Sequence, residues 1–423
     1  MAGIALFALA LGAITADPPR TRTVGLGAEH ATIRAAVAAS LPHDTVRVRA
    51  GRYRECLQLE KPIVLIGEPG AILDGGRTGT VITILADSVT VRGFTLRASG
   101  RSLERDDAVV KVIRARRVQI SDNVIEDPLH AVYLLEAHAV AVERNRITGA
   151  ADLVESARGN GVHLFNSSGN RLAGNTVRGT RDGIYFSFAS GNTVVGNDVA
   201  HVRYGLHYMY SDDNTFERNV FTRNAAGAAI MFSKRITFRE NVFAEHVGYR
   251  AYGILLQTAE QVLAERNRIE GNLTGLFLDG ATGDIFRDNV ISDNGVGVDL
   301  LASAENNTFT GNIITDNRIA VRRVLGTSEN RWSADGRGNF WGDRSVFDLD
   351  GDGIGDRPYR AGDAYATLAA TRPVLDIFTG TLAARALAWA DEAFPVFDMP
   401  RVEDPHPLAR RPTLHRPPML ATR

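Results

Sequence analysis

A single cysteine, Cys56, stands among 423 residues, so neither a disulfide framework nor a cysteine-based zinc site can be built. Cys56 reads as a small buried residue near a strand. No charge of one sign is in excess: 48 Lys and Arg meet 49 Asp and Glu, for a formal net charge of −1. That balance removes the electrostatic case for nucleic acid or for an acidic membrane surface. Long apolar runs are also missing. Residues 1–16 are nearly all apolar or small, but they are too few to span a bilayer. They read as a secretory leader cleaved near Ala16, although no Lys or Arg precedes the apolar core. An exported protein that meets the membrane only through partners is expected.

Glycine, by contrast, is abundant at 41 residues, and it is periodic. Gly161, Gly183, Gly205, Gly227, Gly253, Gly275 and Gly297 each open a phrase of four mostly apolar residues. The steps are 22 residues, with one of 26 between Gly227 and Gly253. Asparagines follow at a near-fixed distance: Asn175, Asn197, Asn219, Asn241, Asn267, Asn289 and Asn312. Short apolar pieces at this period, with no helical pattern, predict stacked strand-and-turn units, that is, an all-β parallel β-helix of about ten rungs. The asparagines are expected at the corners, tolerating left-handed backbone and bonding from coil to coil. A second ladder of Asn170, Asn192 and Asn214 stops at Ile236.

The rest of the chain divides around this array. After the leader, residues 17–60 read as an N-terminal cap and first strand, with a short helix over residues 32–39 carrying Ile33 and Val37 on one face. The coil is expected over residues 61–345, an acidic glycine-rich loop over 346–372, and an amphipathic helix with a Pro-rich partner-binding tail over 373–423.

The cap and the Asn-rich rungs resemble the pectate-lyase-like right-handed β-helix superfamily, which implies a right-handed parallel β-helix. The segment Asn339, Phe340, Trp341, Gly342, the acidic run from Asp348 to Asp356 and the following Arg357, Pro358, Tyr359 narrow this, as does the tail at residues 372–376 and 403–408. Together they resemble the NosD family, periplasmic β-helix proteins needed to mature the copper sites of nitrous oxide reductase. The resemblance implies an accessory protein without catalysis of its own, working beside an ABC-type permease and its ATPase, a copper chaperone and apo nitrous oxide reductase.

Strand alternation assigns the faces. Positions one and three after each glycine are apolar and point inward. Positions two and four then point outward, where a solvated face would carry Lys, Glu, Thr and Asn. They read instead as His163, Tyr185, His207 and Ala229, and as Phe165, Ser187, Met209 and Met231. Tyr133 extends the stripe by one irregular turn. Imidazole and thioether suit copper, Cu(I) especially, so His163, His207, Met209 and Met231 are candidate ligands of a transient site. The same residue types serve protein docking; Tyr133, Phe165, Tyr185, Leu382, Trp389, Phe394 and Phe397 are the candidate surface. A register shifted by one residue would make the stripe core. His406, His415, Met399 and Met419 are further copper donors in the tail.

Asp348, Asp350, Asp352 and Asp356 have calcium-loop spacing, but Tyr359 replaces the bidentate Glu, so a structural calcium is the most this loop suggests. A polysaccharide lyase or epimerase is the competing reading. Asp127, Leu129 and His130 only partly match an epimerase Asp-Pro-His pattern, and Arg105, Asp106 and Asp107 lie in an insertion; no acid–base set is evident.

Overall fold

The computed structural model describes residues 18–323, 329–342, 346–361, 372–378, 381–393 and 402–413. It is a right-handed parallel β-helix of three sheets. The first runs from Thr21–Val24 to Thr308–Thr310 and the second from Gly51–Arg54 to Phe340–Trp341, each with 13 strands; the third, from Leu57–Leu59 to Ile319–Arg323, has 12. About ten rungs is therefore too few. The early coils escaped notice because their lengths vary: the register-equivalent Leu57, Ile82, Val110, Val132 and Val162 are 25, 28, 22 and 30 residues apart. Residues 17–60 already supply the first strands of all three sheets.

A coil passes through the first, second and third sheets in turn, as in Arg171–Ala173, Thr176–Arg178 and Asp182–Ser187. Each strand sends alternate side chains into a core closed on all sides. Phe216 stacks on Phe238 at 5.1 Å and Phe221 on Phe243 at 5.2 Å, all fully buried. Burial of each such ring stabilises by about 2–3 kcal/mol before entropy is charged.

The corner asparagines do build a ladder. Asn219 donates through Nδ2 to Val194 O and Asn241 Oδ1, both at 2.9 Å, and its own Oδ1 accepts from Asn197 N and Nδ2. The ladder runs without a break from Asn123 to Asn339. The left-handed residue, however, is the one before each asparagine: Gly174, Gly196, Arg218, Glu240, Arg266 and Asp288 all have positive φ. The corner turns one residue early so that the asparagine side chain can point inward to its neighbours. A ladder at the third corner was not anticipated, and there His246 substitutes for asparagine between Asn224 and Asn272. In the ladder that stops at Ile236, Asp284 resumes the column with Oδ1 accepting from Val262 N, while its buried Oδ2 has no partner.

Both ends are closed. Helix α1, Ile33–Ala39, is capped by Thr32 and buries Ile33 and Ala36, with Val37 partly buried against the core. At the other end, residues 402–404 pair antiparallel with 359–361. Asp404 accepts from Asn339 N at 2.7 Å and Trp341 Nε1 at 2.9 Å, taking the place of a further ladder asparagine. Part of the stretch read as a partner strap is thus the lid of the coil. Helix α2, Leu382–Ala393, forms where the apolar pattern predicted it.

Candidate metal and docking site on the third sheet

The stripe lies on the outer face of the third sheet. Register places Lys111, Tyr133, His163, Tyr185, His207, Ala229 and Leu255 side by side, and next to them Phe165, Ser187, Met209, Met231 and Gln257. Inward Val162 and Leu164 are buried while His163 and Phe165 are only partly so, and the same holds for Leu206, Tyr208, His207 and Met209. The one-residue slip that would have made the stripe core does not occur.

The stripe is nevertheless uneven. Tyr133 is 5% exposed, because the loop after the second sheet folds over it: Lys111 Nζ lies 4.9 Å over its ring and reaches back to Arg105 O. Burial, with Asp106 beside it, pushes the Tyr133 phenol up. His163 is wedged between the rings of Tyr133 and Tyr185, 4.4 and 4.5 Å away. Burial drives its pKa well below the usual histidine value. Its Nδ1 meets Asn160 Nδ2 at 3.3 Å, and Nε2 is buried without a protein partner. Two strand spacings, about 10 Å, separate it from His207, with Tyr185 between them.

His207 is held differently. Its Nδ1 lies 2.9 Å from Oδ2 of Asp182, whose side chain has no solvent exposure. Arg203 grips the same carboxylate with two bonds of 2.8 and 2.7 Å. Burial opposes ionisation of Asp182, but the bonds from His207 and Arg203 outweigh it and hold the carboxyl at about 2. An ionised carboxylate only accepts, so His207 donates to it from Nδ1, which leaves Nε2 as the nitrogen not engaged by Asp182. A carboxylate fixing the far nitrogen of an imidazole is the usual support of a metal-bound histidine. Tyr204, 5.0 Å from the His207 ring and under Arg203 at 4.7 Å, braces the group. Met209, on the same face two residues from His207, and Met231 are register partners, both partly exposed.

Sequence reasoning missed Asp182, Arg203 and Tyr204. The only trace was a charged or aromatic residue just before a rung glycine, at Asp182 and Tyr204. It also missed Phe188, Tyr210 and Phe232, which stack in the open at the corner after the stripe.

The remaining candidates lie apart. Phe165 meets Phe188 edge-on at 6.1 Å. Leu382 and Trp389 are exposed on α2; Phe394 and Phe397 lie outside the described residues, as do residues 1–16, His415, Met399 and Met419. His406 Nδ1 is 3.2 Å from Ser333 Oγ. Cys56 is half-buried rather than buried. Among the described residues, Asp348, Asp350 and Asp352 are the only group of three or more acidic, His or Cys side chains with ligand atoms within 4.8 Å. Those carboxylates accept backbone N–H bonds from Gly351, Gly353 and Ile354, and Asp356 accepts from Leu349. Of the enzyme candidates, burial lowers His130 to about 4 and raises Asp127, and Asp107 is tied to Ser102 N and Arg105.

Residues 143–345 match the family model described as periplasmic copper-binding protein (NosD). The chain is 40% identical over 378 residues to the "Probable ABC transporter binding protein NosD" of Pseudomonas aeruginosa, covering 86% of this chain and 87% of the relative. The protein of the same name from Stutzerimonas stutzeri is 38% identical over 383 residues, 87% of each chain. Among solved structures, the A-module of Azotobacter vinelandii mannuronan C-5 epimerase AlgE6 superposes with a TM-score of 0.54 at 17% identity, over 73% of this chain and 88% of that one. At that identity the likeness is one of fold alone.

Proposed function

The chain belongs to the NosD family, and on that premise we propose that it is a periplasmic accessory protein for assembling the copper sites of nitrous oxide reductase, holding copper only in passage. The observation that carries this is the Asp182–His207 pair beside the register-paired Met209 and Met231. One imidazole nitrogen and two thioethers suit Cu(I). Such a neutral, soft and partly exposed set exchanges ligands readily, as a carrier requires. His163, enclosed by Tyr133 and Tyr185, drops out of the ligand set in this reading.

The name of the relatives supports association with an ABC transporter, whose ATPase would spend the nucleotide; a copper chaperone and apo nitrous oxide reductase would be donor and acceptor. Calcium at Asp348, Asp350, Asp352 and Asp356 would be structural, and a rise in melting temperature on adding Ca²⁺ would reveal it.

Anaerobic Cu(I) titration against a competing chelator tests the reading. Met209→Ala/Met231→Ala should weaken binding at least tenfold; equal binding by both proteins, or none by either, would sink it.

A second reading is a polysaccharide lyase or epimerase, favoured by the charged and aromatic group of Asp182, Arg203, His207, Tyr185 and Tyr204 on the outer sheet face, which holds acid–base side chains together. A screen on uronate polymers decides it, since turnover lost in His207→Gln would displace the carrier reading.

A further inference from the structure

Beside the stripe, Phe188, Tyr210 and Phe232 form a column of three rings in the open. Their centroids are 5.3 and 5.2 Å apart and their planes within 9° and 12° of parallel. They are 53%, 47% and 43% exposed. Each turns the corner out of the third sheet in left-handed backbone, with φ of 51°, 49° and 51°. In register with them, the same corner is turned by Arg114, Glu136, Asn166, Thr258 and Gly280. A polar residue or glycine therefore suffices. A bulky ring in this conformation is a backbone outlier, and three in succession, left in solvent, add strain without burying a core.

Their place is as informative as their cost. Tyr210 directly follows Met209, and Phe232 directly follows Met231. Both faces of Tyr210 are covered by its neighbours in the column, so the rings offer their edges outward. A sugar ring needs a free aromatic face to stack on, and this column withholds its central one. Ring edges are the positive rim of the aromatic quadrupole and make favourable contacts with thioether sulfur. The surrounding charges are mutually neutralised, Arg235 with Asp213 at 2.6 Å and Lys234 with Glu260 at 2.7 Å, which leaves a polar rim without a steering field.

We infer that the Phe188–Tyr210–Phe232 column is the docking surface for a Cu(I)-bearing protein whose contact face carries methionines around its metal. The inference rests on the carrier reading of Met209 and Met231. Transfer there is ligand exchange: a partner thioether leaves copper as Met209 or Met231 bonds it, the metal stays Cu(I), and no electron or proton moves. The two sets of thioethers must meet, and a surface one residue from both methionines brings them together.

The test uses the full chain and the Cu(I)-loaded copper chaperone, in native form and with its surface methionines replaced by serine. Phe188→Asn/Tyr210→Asn/Phe232→Asn should relieve the backbone, so its melting temperature stays level or rises. Its affinity for the chaperone should fall at least tenfold while its own Cu(I) affinity is unchanged. The native chain should likewise bind the serine-substituted chaperone at least tenfold more weakly. Native-like chaperone binding by the triple variant would overturn the inference, as would no chaperone binding by the native chain. Loss of self-association in the triple variant, with chaperone binding retained, would assign the column to a second copy of this chain instead. If the native chain docks the chaperone through the column yet binds no Cu(I), the docking surface stands and the carrier reading fails.

Discussion

His207 Nδ1 meets the carboxylate of Asp182 at 2.9 Å across 25 residues of sequence, because one coil of the β-helix stacks them on adjacent strands. Asp182→Asn would strip Arg203 of its charge partner and weaken the lock on the imidazole. The variant should lose about 2–3 kcal/mol of stability at pH 7, the worth of a carboxyl held about two pH units low beside a guanidinium that is itself a third exposed. The folded carboxyl is depressed to about 2, so its contribution is present above the unfolded carboxyl value near 4 and fades as pH falls through about 2. Denaturant unfolding of both proteins at pH 7 and at low pH should show the gap closing. Cu(I) affinity should fall in parallel at pH 7.

Asp284 has the opposite sign. Burial raises its carboxyl to about 8, and Oδ2 finds no partner. Between the unfolded value near 4 and about 8 the folded chain keeps a proton that the unfolded chain releases, so stability drains away as pH rises through that window. Asp284→Asn restores the ladder residue found at Asn307 and should stabilise at pH 7 by on the order of 3 kcal/mol, with little effect at pH 3. Melting temperatures at the two pH values check this.

Asn219 is a rung of the unbroken ladder. Asn219→Ala leaves Val194 O and Asn197 N buried without their partner, a loss of about 2–4 kcal/mol. Asn219→Asp should cost as much or more, because a carboxylate cannot donate to Val194 O. Chemical denaturation of the two variants distinguishes a donor requirement from simple space filling.

At the C-terminal end, Asp404→Ala would leave Trp341 Nε1 and Asn339 N without an acceptor. The expected outcome is a red-shifted tryptophan emission, earlier proteolysis near residues 339–341 and aggregation through the uncovered strands. It also changes how a partner strap must be tested. Removing everything after residue 371 removes the lid as well, so deleting residues 382–393 while keeping 402–413 is the informative version. Reduced recovery of the ABC permease by that deletion would identify α2 as the grip.

Much of this architecture was legible because a β-helix repeats one local rule. The inward pairs such as Val162 and Leu164 follow from period-two alternation, and the asparagines from the need to satisfy backbone groups at every corner. The early coils were obscured since insertions such as residues 99–107 alter the period without altering the stacking. The outward direction of His207, Met209 and Met231 was legible too, because alternation leaves no third choice.

What no local rule contains is the partner each residue meets from another coil. Whether His163 is open depends on Tyr133 and Tyr185 arriving 30 residues before it and 22 after it. Whether His207 offers Nε2 depends on a carboxylate from the preceding coil and a guanidinium that neutralises it. By itself the sequence determined the coil, its faces, its corners and the residue types on its outer stripe, because these follow from backbone geometry and periodicity. Only the tertiary structure decided which of those side chains are sealed, which are braced, and which stand exposed in strained backbone, because burial and electrostatics are set between coils and not along them.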